Sequence, residues 1–412
     1  TYKPRAMLRI LQESGRQARW RLVAGVARSF SSSTPRAPKR LRPRTVSAQI
    51  PFGHDKQYDS LVPAIYPSST FLRGHDGKNV SGKCYSRDDN PTVLAAEGTI
   101  RELEFGTDAL LFSSGMSAAT AIFKTLYPGD QVIIPRVMYW ALRSWIFEFA
   151  KKWKINVIAL DFGEPLNEED LMKALSKRPK FIWLETPANP TWSISDISKI
   201  SKMAHDAGAF CVVDSTVATP VLTQPLELGA DVVMHSATKY LNGHSDVLAG
   251  VLVANRKMAG SGLWQNIRKI RRNEGCCLSS FDAWLLQRGL RTVHLRVRTQ
   301  SKQAMEIAKQ FSQLDGVQVL YPGLPSFPGH ELAKRQMKYG YGGMLSLRFQ
   351  GGKEQALAFL NACKVFKNAT SLGGVESLIE HRYLNNTLSN LPLTARFRAS
   401  VEGPSSPVPD DL

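Results

Sequence analysis

A lysine stands among hydroxyl residues just after an apolar run. Lys239 follows Thr238 directly and lies three residues after Ser236. Lysine is usually a solvated surface charge, so a lysine in this setting points to a use for its amine. An acidic residue, Asp214, closes the preceding apolar run FCVVDS, 25 residues earlier. The spacing predicts both side chains at the carboxyl ends of buried strands.

A lysine amine can form an imine with a carbonyl cofactor such as pyridoxal 5′-phosphate (PLP). Such a site also needs a carboxylate at the pyridine nitrogen, an aromatic face against the ring and donors for the phosphate. Asp214 is the candidate carboxylate, and a helix N-cap or turn residue is the alternative. Tyr139, just past the run QVIIP, could stack on the ring; an interfacial core aromatic is the alternative.

Phosphate donors are offered by the segment SSGMSA at 113–118, which follows one predicted strand and opens a helix. Gly115 would let the backbone approach a ligand, and the amides of Gly115 and Met116 would face an anion under the helix dipole. Ser236 and Thr238 could add hydroxyl groups to the same phosphate. A plain N-cap and strand-end turn chemistry are the alternatives.

Strand and helix patterns alternate from about residue 105 onward. Continuous apolar strands in this order predict an α/β fold with a mostly parallel central sheet covered by helices. Ligands bind such sheets beyond the carboxyl ends of the strands, where Asp214 and Lys239 are expected. The sequence pattern then changes to that of long helices followed by a strand, which predicts a smaller α+β domain. The predicted divisions are an N-terminal arm at 48–104, a PLP-binding domain at 105–285 and the α+β domain at 286–412.

Six motifs occur in one order along the chain. They are YSRDDNPT (85–92), SSGMSA (113–118), ETPANPT (185–191), VVDSTVATP (212–220), SATKYLNGHSDVLAG (236–250) and SLGGVESLIEH (371–381). Together they resemble the Cys/Met-metabolism family of PLP enzymes, which contains cystathionine γ-synthase, γ-lyase and β-lyase and methionine γ-lyase.

The resemblance implies the PLP-dependent transferase fold type I and a trans-sulfuration enzyme, nearest to cystathionine γ-synthase or γ-lyase. Such an enzyme acts on sulfur amino acids or O-acylhomoserine by α,γ-elimination or replacement. The alternatives are methionine γ-lyase or cystathionine β-lyase activity, or a PLP-binding protein without catalysis.

The resemblance also implies roles for individual residues. Lys239 and Tyr139 would be catalytic, the first as Schiff-base lysine and proton-transfer base and the second stacked on the ring. Asp214 would pair with the pyridine nitrogen. Asn189 would lie near a cofactor oxygen and, together with Ser371, at the amino-acid substrate.

The same resemblance implies a shared phosphate site. Within one subunit the phosphate would be bound by Gly115, Met116, Ser236 and Thr238. Tyr85 and Arg87 would reach the phosphate of a neighbouring subunit, so each site would be built by a dimer and two dimers would form a homotetramer.

The C-terminal end departs from the family pattern. In the family, a strand whose Arg binds the substrate carboxylate follows the SLGGVESLIEH segment. Here residues 383–398 intervene, and HR would join directly to ASVEGPSSPVPDDL without them. We hypothesise a retained intron or a gene-model error, with the terminal strand and helix missing. The corresponding alternative is a protein that binds PLP but cannot bind the substrate.

The net charge of +18 is concentrated near the N-terminus. Residues 1–50 hold ten arginines and two lysines but only one acidic residue, Glu13. This Arg- and Ser-rich composition predicts a mitochondrial transit peptide over about 1–47 and a matrix location, with the cytoplasm as the alternative. Because the charge lies largely in this segment, a nucleic-acid partner is not expected.

Three further features limit the function. No apolar run reaches the roughly 18 residues of a membrane-spanning helix, so no membrane partner is expected. The five cysteines are scattered, which suits a reducing compartment. The eight histidines form no HxxxH pair, so no metal is expected.

Overall fold

The computed structural model of the chain describes residues 41–49 and 58–381. Residues 1–40 of the predicted transit segment (1–47) and the 383–398 segment lie outside the described residues, so both stay predictions. The described residues from Arg42 onward belong to one compact unit. Its first helix, α1 (Pro43–Gln49), already contributes to the core, since Val46 is 1% exposed. The predicted division at 285/286 also stays a prediction.

The helices and strands of this unit alternate over its central part. In chain order after α1 they are α2 (Pro91–Leu103), β1 (Asp108–Phe112), α3 (Gly115–Phe123), β2 (Gln131–Pro135), α4 (Trp140–Trp153), β3 (Asn156–Leu160), α5 (Glu168–Leu175), β4 (Phe181–Glu185), α6 (Ile197–Asp206), β5 (Phe210–Asp214), α7 (Thr219–Leu222), a 3-10 helix (Pro225–Leu228), β6 (Val232–His235), β7 (Gly250–Ala254), α8 (Arg256–Ala259), α9 (Gly262–Glu274), α10 (Ser280–Leu290), α11 (Val293–Phe311), β8 (Val317–Leu320), α12 (His330–Gln336), β9 (Ser346–Phe349), α13 (Gly352–Ala362), β10 (Lys367–Asn368) and β11 (Leu378–Ile379).

A seven-stranded sheet with the order β1-β7-β6-β5-β4-β2-β3 forms the centre. All pairings from β6 through β5, β4 and β2 to β3 are parallel, whereas β7 is antiparallel to both of its neighbours. The prediction of a mostly parallel sheet is therefore confirmed.

Parallel neighbours need a crossover that is usually a helix, and the connection from β6 to β7, residues 236–249, contains no helix. This connection carries Lys239.

Both faces of the sheet are buried at every strand except the edge strand β3, as the continuous apolar strands predicted. In β1, Leu110 and Phe112 pack on one face with α3, α4 and α9, while Ala109 and Leu111 pack on the other with α2 and α10. Successive side chains of a strand point to opposite faces, so a strand with helices on both sides needs an apolar residue at every position. The sheet is thereby a rigid base for the residues at its edge.

The described C-terminal part contains long helices and two small sheets, β8 with β9 and the parallel pair β10 with β11. The predicted long helices are found here as α10 and α11. Strands β8 and β9 form a separate antiparallel pair. Among the described residues, no helix combines the length and apolar character needed to cross a bilayer.

Candidate active site

Asp214 and Lys239 lie at the same edge of the sheet. Asp214 is the last residue of β5, and its register partners are Met234 in β6 and Glu185 in β4. Lys239 lies four residues after His235, where β6 ends. The structure thus places both residues at the carboxyl ends of adjacent parallel strands, the region where α/β sheets bind ligands.

The Asp214 carboxyl is buried and held by the turn that follows it. Its Oδ1 accepts hydrogen bonds from the amide of Thr216 at 3.0 Å and the hydroxyl of Thr216 at 2.6 Å. Burial raises the pKa of Asp214, and the two Thr216 bonds and the nearby His235 oppose that rise. A buried carboxyl of this kind is stabilised in its charged form by a cation, which a protonated pyridine nitrogen would supply.

The beginning of α3 has the features of an anion-binding site. Ser114 caps this helix by accepting the Ser117 amide at 3.0 Å, and within the described chain the amides of Gly115 and Met116 have no acceptor. A Cβ on Gly115 would lie 2.9 Å from the Cβ of Ser236 and 3.0 Å from its Oγ. Glycine therefore allows the helix N-terminus to approach Ser236, and the two together fit a phosphate group.

Ser236 also connects this cradle to Asp214. Its amide donates to the Thr216 hydroxyl at 2.8 Å, and that hydroxyl donates in turn to Asp214. Ser236, predicted for the phosphate, and Asp214, predicted for the pyridine nitrogen, are thus joined by hydrogen bonds through Thr216.

Thr238 is engaged differently from the other predicted phosphate ligands. Its hydroxyl donates to the carbonyl of Ala249 at 3.1 Å and accepts the Ala249 amide at 2.9 Å. A hydroxyl has a single proton to donate, so binding phosphate would require this donor to turn away from the backbone. The phosphate role of Thr238 stays a prediction.

A carboxylate that the sequence reasoning missed holds two of the predicted residues. Glu185, the last residue of β4, is 7% exposed and accepts the amide of Tyr139 at 2.7 Å and the amide of Asn189 at 3.1 Å. Tyr139 begins α4 without a side-chain cap of its own, and its side chain is 43% exposed. The available signal was an acidic residue closing a buried strand run, the same pattern that identified Asp214.

The side chain of Lys239 meets the C-terminal part of the described chain. Its Nζ donates to the hydroxyl of Ser371 at 3.0 Å. The backbone of Lys239 is fixed by a turn, because its amide donates to the Ser236 carbonyl and its carbonyl accepts the Gly243 amide. Ser371, predicted only as a substrate contact, is thus a direct partner of the lysine.

Tyr85 and Arg87 lie on the arm that precedes α2. The Arg87 guanidinium lies 5.0 Å from the centre of the Tyr85 ring, and both side chains are exposed. No hydrogen bond within the described ranges connects either side chain to Lys239, Asp214 or Gly115. Their predicted role across a subunit interface stays a prediction.

An amine, a buried carboxyl and a glycine-lined anion cradle therefore meet at one sheet edge, and this set fits a phosphate-bearing pyridine aldehyde. The Cys/Met metabolism PLP-dependent enzyme family matches residues 44–403 of the sequence. The chain belongs to this family. It is a PLP-dependent enzyme, and the predicted family is confirmed.

Individual relatives match over most of their length. Cystathionine gamma-synthase of Mycobacterium tuberculosis (strain ATCC 25618 / H37Rv) is 39% identical over 372 residues, which is 90% of this chain and 91% of the relative. Cystathionine gamma-lyase of Dictyostelium discoideum is 38% identical over 348 residues, 84% of this chain and 87% of the relative.

The fold is also shared with a solved structure. The crystal structure of metB from Corynebacterium glutamicum has a TM-score of 0.82 and 36% identity, and the match covers 91% of this chain and 93% of that one. The chain accordingly has the fold type I architecture of PLP-dependent transferases that the sequence predicted.

Proposed function

We propose that this protein is a trans-sulfuration enzyme of the cystathionine γ-synthase or γ-lyase type, acting on a small amino-acid substrate. The single observation that carries this proposal is the position of the Lys239 amine, 3.0 Å from Ser371 and at the sheet edge that bears Asp214. Relatives with either name resemble the chain to nearly the same degree, at 39% and 38% identity. The proposal therefore covers both α,γ-elimination and α,γ-replacement.

The cofactor's contribution is general to this class: when bound, PLP withdraws electrons from the α-carbon of the attached amino acid. Asp214 would hold the pyridine nitrogen in its protonated form, because its buried carboxyl needs a cation. The N-terminus of α3 and Ser236 would hold the phosphate. Tyr139, whose backbone Glu185 fixes, would lie against the ring.

Lys239 would hold the cofactor and then move protons. Elimination at the γ-carbon requires protons to leave both the α- and the β-carbon, so one base must serve neighbouring positions. A lysine amine on a flexible four-carbon stem can do this. The hydroxyl of Ser371 would set the direction of the amine between transfers.

Product identification after incubation with three substrate sets tests the proposal. The PLP-loaded protein is given L-cystathionine, O-acylhomoserine plus L-cysteine, or L-methionine, with a Lys239→Ala variant as control. We expect cystathionine to form in the second incubation, or cysteine, ammonia and a keto acid in the first. Turnover of methionine alone would support a methionine γ-lyase instead. Bound PLP without any turnover would contradict the proposal and support a non-catalytic protein.

We further propose that the arm completes the site of a second copy in a homotetramer made of two dimers. Several apolar side chains on the arm are strongly exposed, at 87% for Leu61, 84% for Leu72 and 74% for Val80. Exposed apolar side chains of this size favour burial against a partner. Mixing inactive Lys239→Ala with inactive Arg87→Ala subunits tests this, because a shared site should recover part of the activity. No recovery after subunit exchange would contradict it.

We also propose that residues 1–47 direct the protein to the mitochondrial matrix. Support comes from the Arg-rich, acid-poor composition of this segment. A fluorescent protein fused after residue 47 should enter mitochondria, and a fusion with its arginines changed to glutamine should stay in the cytoplasm. Equal cytoplasmic fluorescence for both fusions would contradict the proposal.

A further inference from the structure

Helix α11 presents a row of polar side chains toward the two loops that carry Lys239 and Ser371. Arg296 and Gln300 are spaced four residues apart, so they lie on one face of the helix, and Thr292, the N-cap residue before α11, lies four residues before Arg296. Arg296 binds the loop that follows Lys239, and Gln300 donates to the carbonyl of Gly374, three residues beyond Ser371, at 2.7 Å.

Arg296 makes an unusual number of backbone contacts. Its Nη1 donates to the Tyr240 carbonyl at 2.8 Å, and its Nη2 donates to the carbonyls of Leu241 at 3.4 Å and Gly289 at 2.8 Å. Its Nε donates to the Thr292 hydroxyl at 3.0 Å. One guanidinium thus joins the loop after Lys239 to the last turn of α10.

All of these acceptors are neutral oxygens. Burial lowers the pKa of the Arg296 guanidinium to about 10, so the group stays protonated at neutral pH. Hydrogen bonds from a charged donor are stronger than neutral ones, and the planar fork fixes several acceptors at once. Lysine would keep the charge but lose this geometry.

The loop is shaped around the guanidinium. Gly243 has a φ of +72°, and a Cβ there would lie 1.8 Å from Nη1 of Arg296. A Cβ on Gly289 would lie 2.2 Å from the carbonyl oxygen of Asn242. The loop that contains Asn242 and Gly243 therefore packs against α10 and α11 without room for a further atom. This close packing leaves little freedom for the turn that holds Lys239.

The two loops also contact each other. A Cβ on Gly373 would lie 2.5 Å from the amide nitrogen of Tyr240. Tyr240 follows Lys239, and Gly373 lies two residues after Ser371. The relative position of the lysine and the serine is therefore set by backbone segments that α11 holds from the same side.

We propose that Arg296 and Gln300 are positioning residues, which fix the Lys239 amine relative to Ser371 through the two loops. The inference deepens the proposed function and rests on it, since the positioned amine is the one that would hold PLP and move protons. Neither side chain needs to touch the cofactor or the substrate for this role. A small displacement of a reacting group is enough to slow a step strongly.

The test compares Arg296→Lys and Gln300→Leu with the wild-type protein, each loaded with PLP. Arg298→Lys is the matched control, because Arg298 lies on the same helix with an exposed side chain that stacks on Tyr339. We expect Arg296→Lys to lower kcat about 10- to 100-fold with KM changed less than about threefold. Gln300→Leu should lower kcat about 3- to 10-fold, since one neutral hydrogen bond is lost.

A second readout does not depend on turnover. The visible absorption spectrum of bound PLP should change in Arg296→Lys and remain that of wild type in Arg298→Lys. A kcat within twofold of wild type together with an unchanged spectrum would overturn the inference. If Arg296→Lys does not fold, the same two measurements on Gln300→Leu decide it. A wild-type protein that binds PLP but lacks turnover would contradict the proposed function alone, and the spectra would still decide this inference.

Discussion

The amine of Lys239 donates a hydrogen bond to the hydroxyl of Ser371 at 3.0 Å, although 132 residues separate the two in sequence. The contact joins the connection after β6 to the segment between β10 and β11. The described C-terminal part of the chain is therefore a direct component of the site at the sheet edge, and its removal would leave the lysine without this partner.

Replacing Ser371 with alanine should slow turnover without preventing PLP binding. Loss of a hydrogen bond that involves a charged group costs about 1.5–3 kcal/mol, which corresponds to a fall in kcat of about 10- to 100-fold. Steady-state kinetics at saturating PLP measure the effect. Ser371→Thr, which keeps a hydroxyl, should retain more activity, and exposed Ser377→Ala should behave as wild type. A Ser371→Ala enzyme within twofold of wild type would show that the contact has no role.

Gly115→Ala should weaken PLP binding by at least about tenfold, because the added Cβ would lie 2.9 Å from Ser236 and push the α3 N-terminus away from the phosphate. The Kd for PLP, measured by titration of the PLP-free protein, reports the effect. Gly262→Ala is the matched control, since Gly262 also begins a helix but has open space around its Cα. Equal affinity in both variants would place the phosphate elsewhere.

Asp214→Asn should lower the rate of catalysis without lowering the stability of the PLP-free protein. Burial raises the pKa of Asp214 above its unfolded value, so its stabilising contribution is present below the unfolded pKa and is lost as the pH rises through the folded pKa. At neutral pH the PLP-free variant should therefore unfold at the same or a higher temperature than wild type. The PLP-loaded variant should lose more than about 100-fold in kcat, because the charge at the ring nitrogen is gone.

Calorimetry on the PLP-free proteins tests the expected stability, and kinetics on the PLP-loaded proteins test the expected loss of kcat. A lower melting temperature for PLP-free Asp214→Asn at pH 7 would mean that the charged carboxylate is already stabilised without the cofactor. A kcat close to that of wild type would show that Asp214 does not bind the ring nitrogen.

Arg271→Met should destabilise the fold by about 3–5 kcal/mol, the usual cost of removing one partner from a buried ion pair. Nη1 of Arg271 donates to Glu97 at 2.6 Å, and the side chains are 3% and 6% exposed. Arg271 also donates to the carbonyls of Leu111 and Asp88, which ties the arm to β1. Burial raises the pKa of Glu97 even with the pair intact, so an unpaired Glu97 would be costly.

Urea unfolding measures this change, with Arg272→Met as control because Arg272 is half exposed and pairs only at 3.4 Å with Asp88. The double variant Glu97→Gln/Arg271→Met should recover part of the loss. A single Arg271→Met variant within about 1 kcal/mol of wild type would contradict the assigned importance of the pair.

Local patterns were sufficient to predict the strands and to place Asp214 at the end of one strand and Lys239 just after another. The runs DALLF and QVIIP form β1 and β2, in which four of the five residues are buried, and NVIAL forms the edge strand β3, whose residues are exposed or half-buried. Asp214 and Lys239 could be located from the same runs, since a parallel sheet puts strand ends on one edge.

Contacts between distant segments could not be predicted in this way. The bond from Lys239 to Ser371 and the binding of Tyr240 by Arg296 depend on how loops and helices pack, which no local spacing encodes. Backbone groups also compete for side chains, as the Thr238 hydroxyl shows by binding Ala249. The antiparallel direction of β7 could not be predicted from the sequence, because it depends on the absence of a helix in the connection before this strand.

The most direct test of the central claim is to trap PLP on the protein and locate it. The PLP-loaded protein is reduced with borohydride, digested and analysed by mass spectrometry, with Lys239→Ala treated in parallel. We expect a PLP adduct on the peptide that contains Lys239, and none in the variant. A PLP adduct on another lysine with Lys239 unmodified would contradict it.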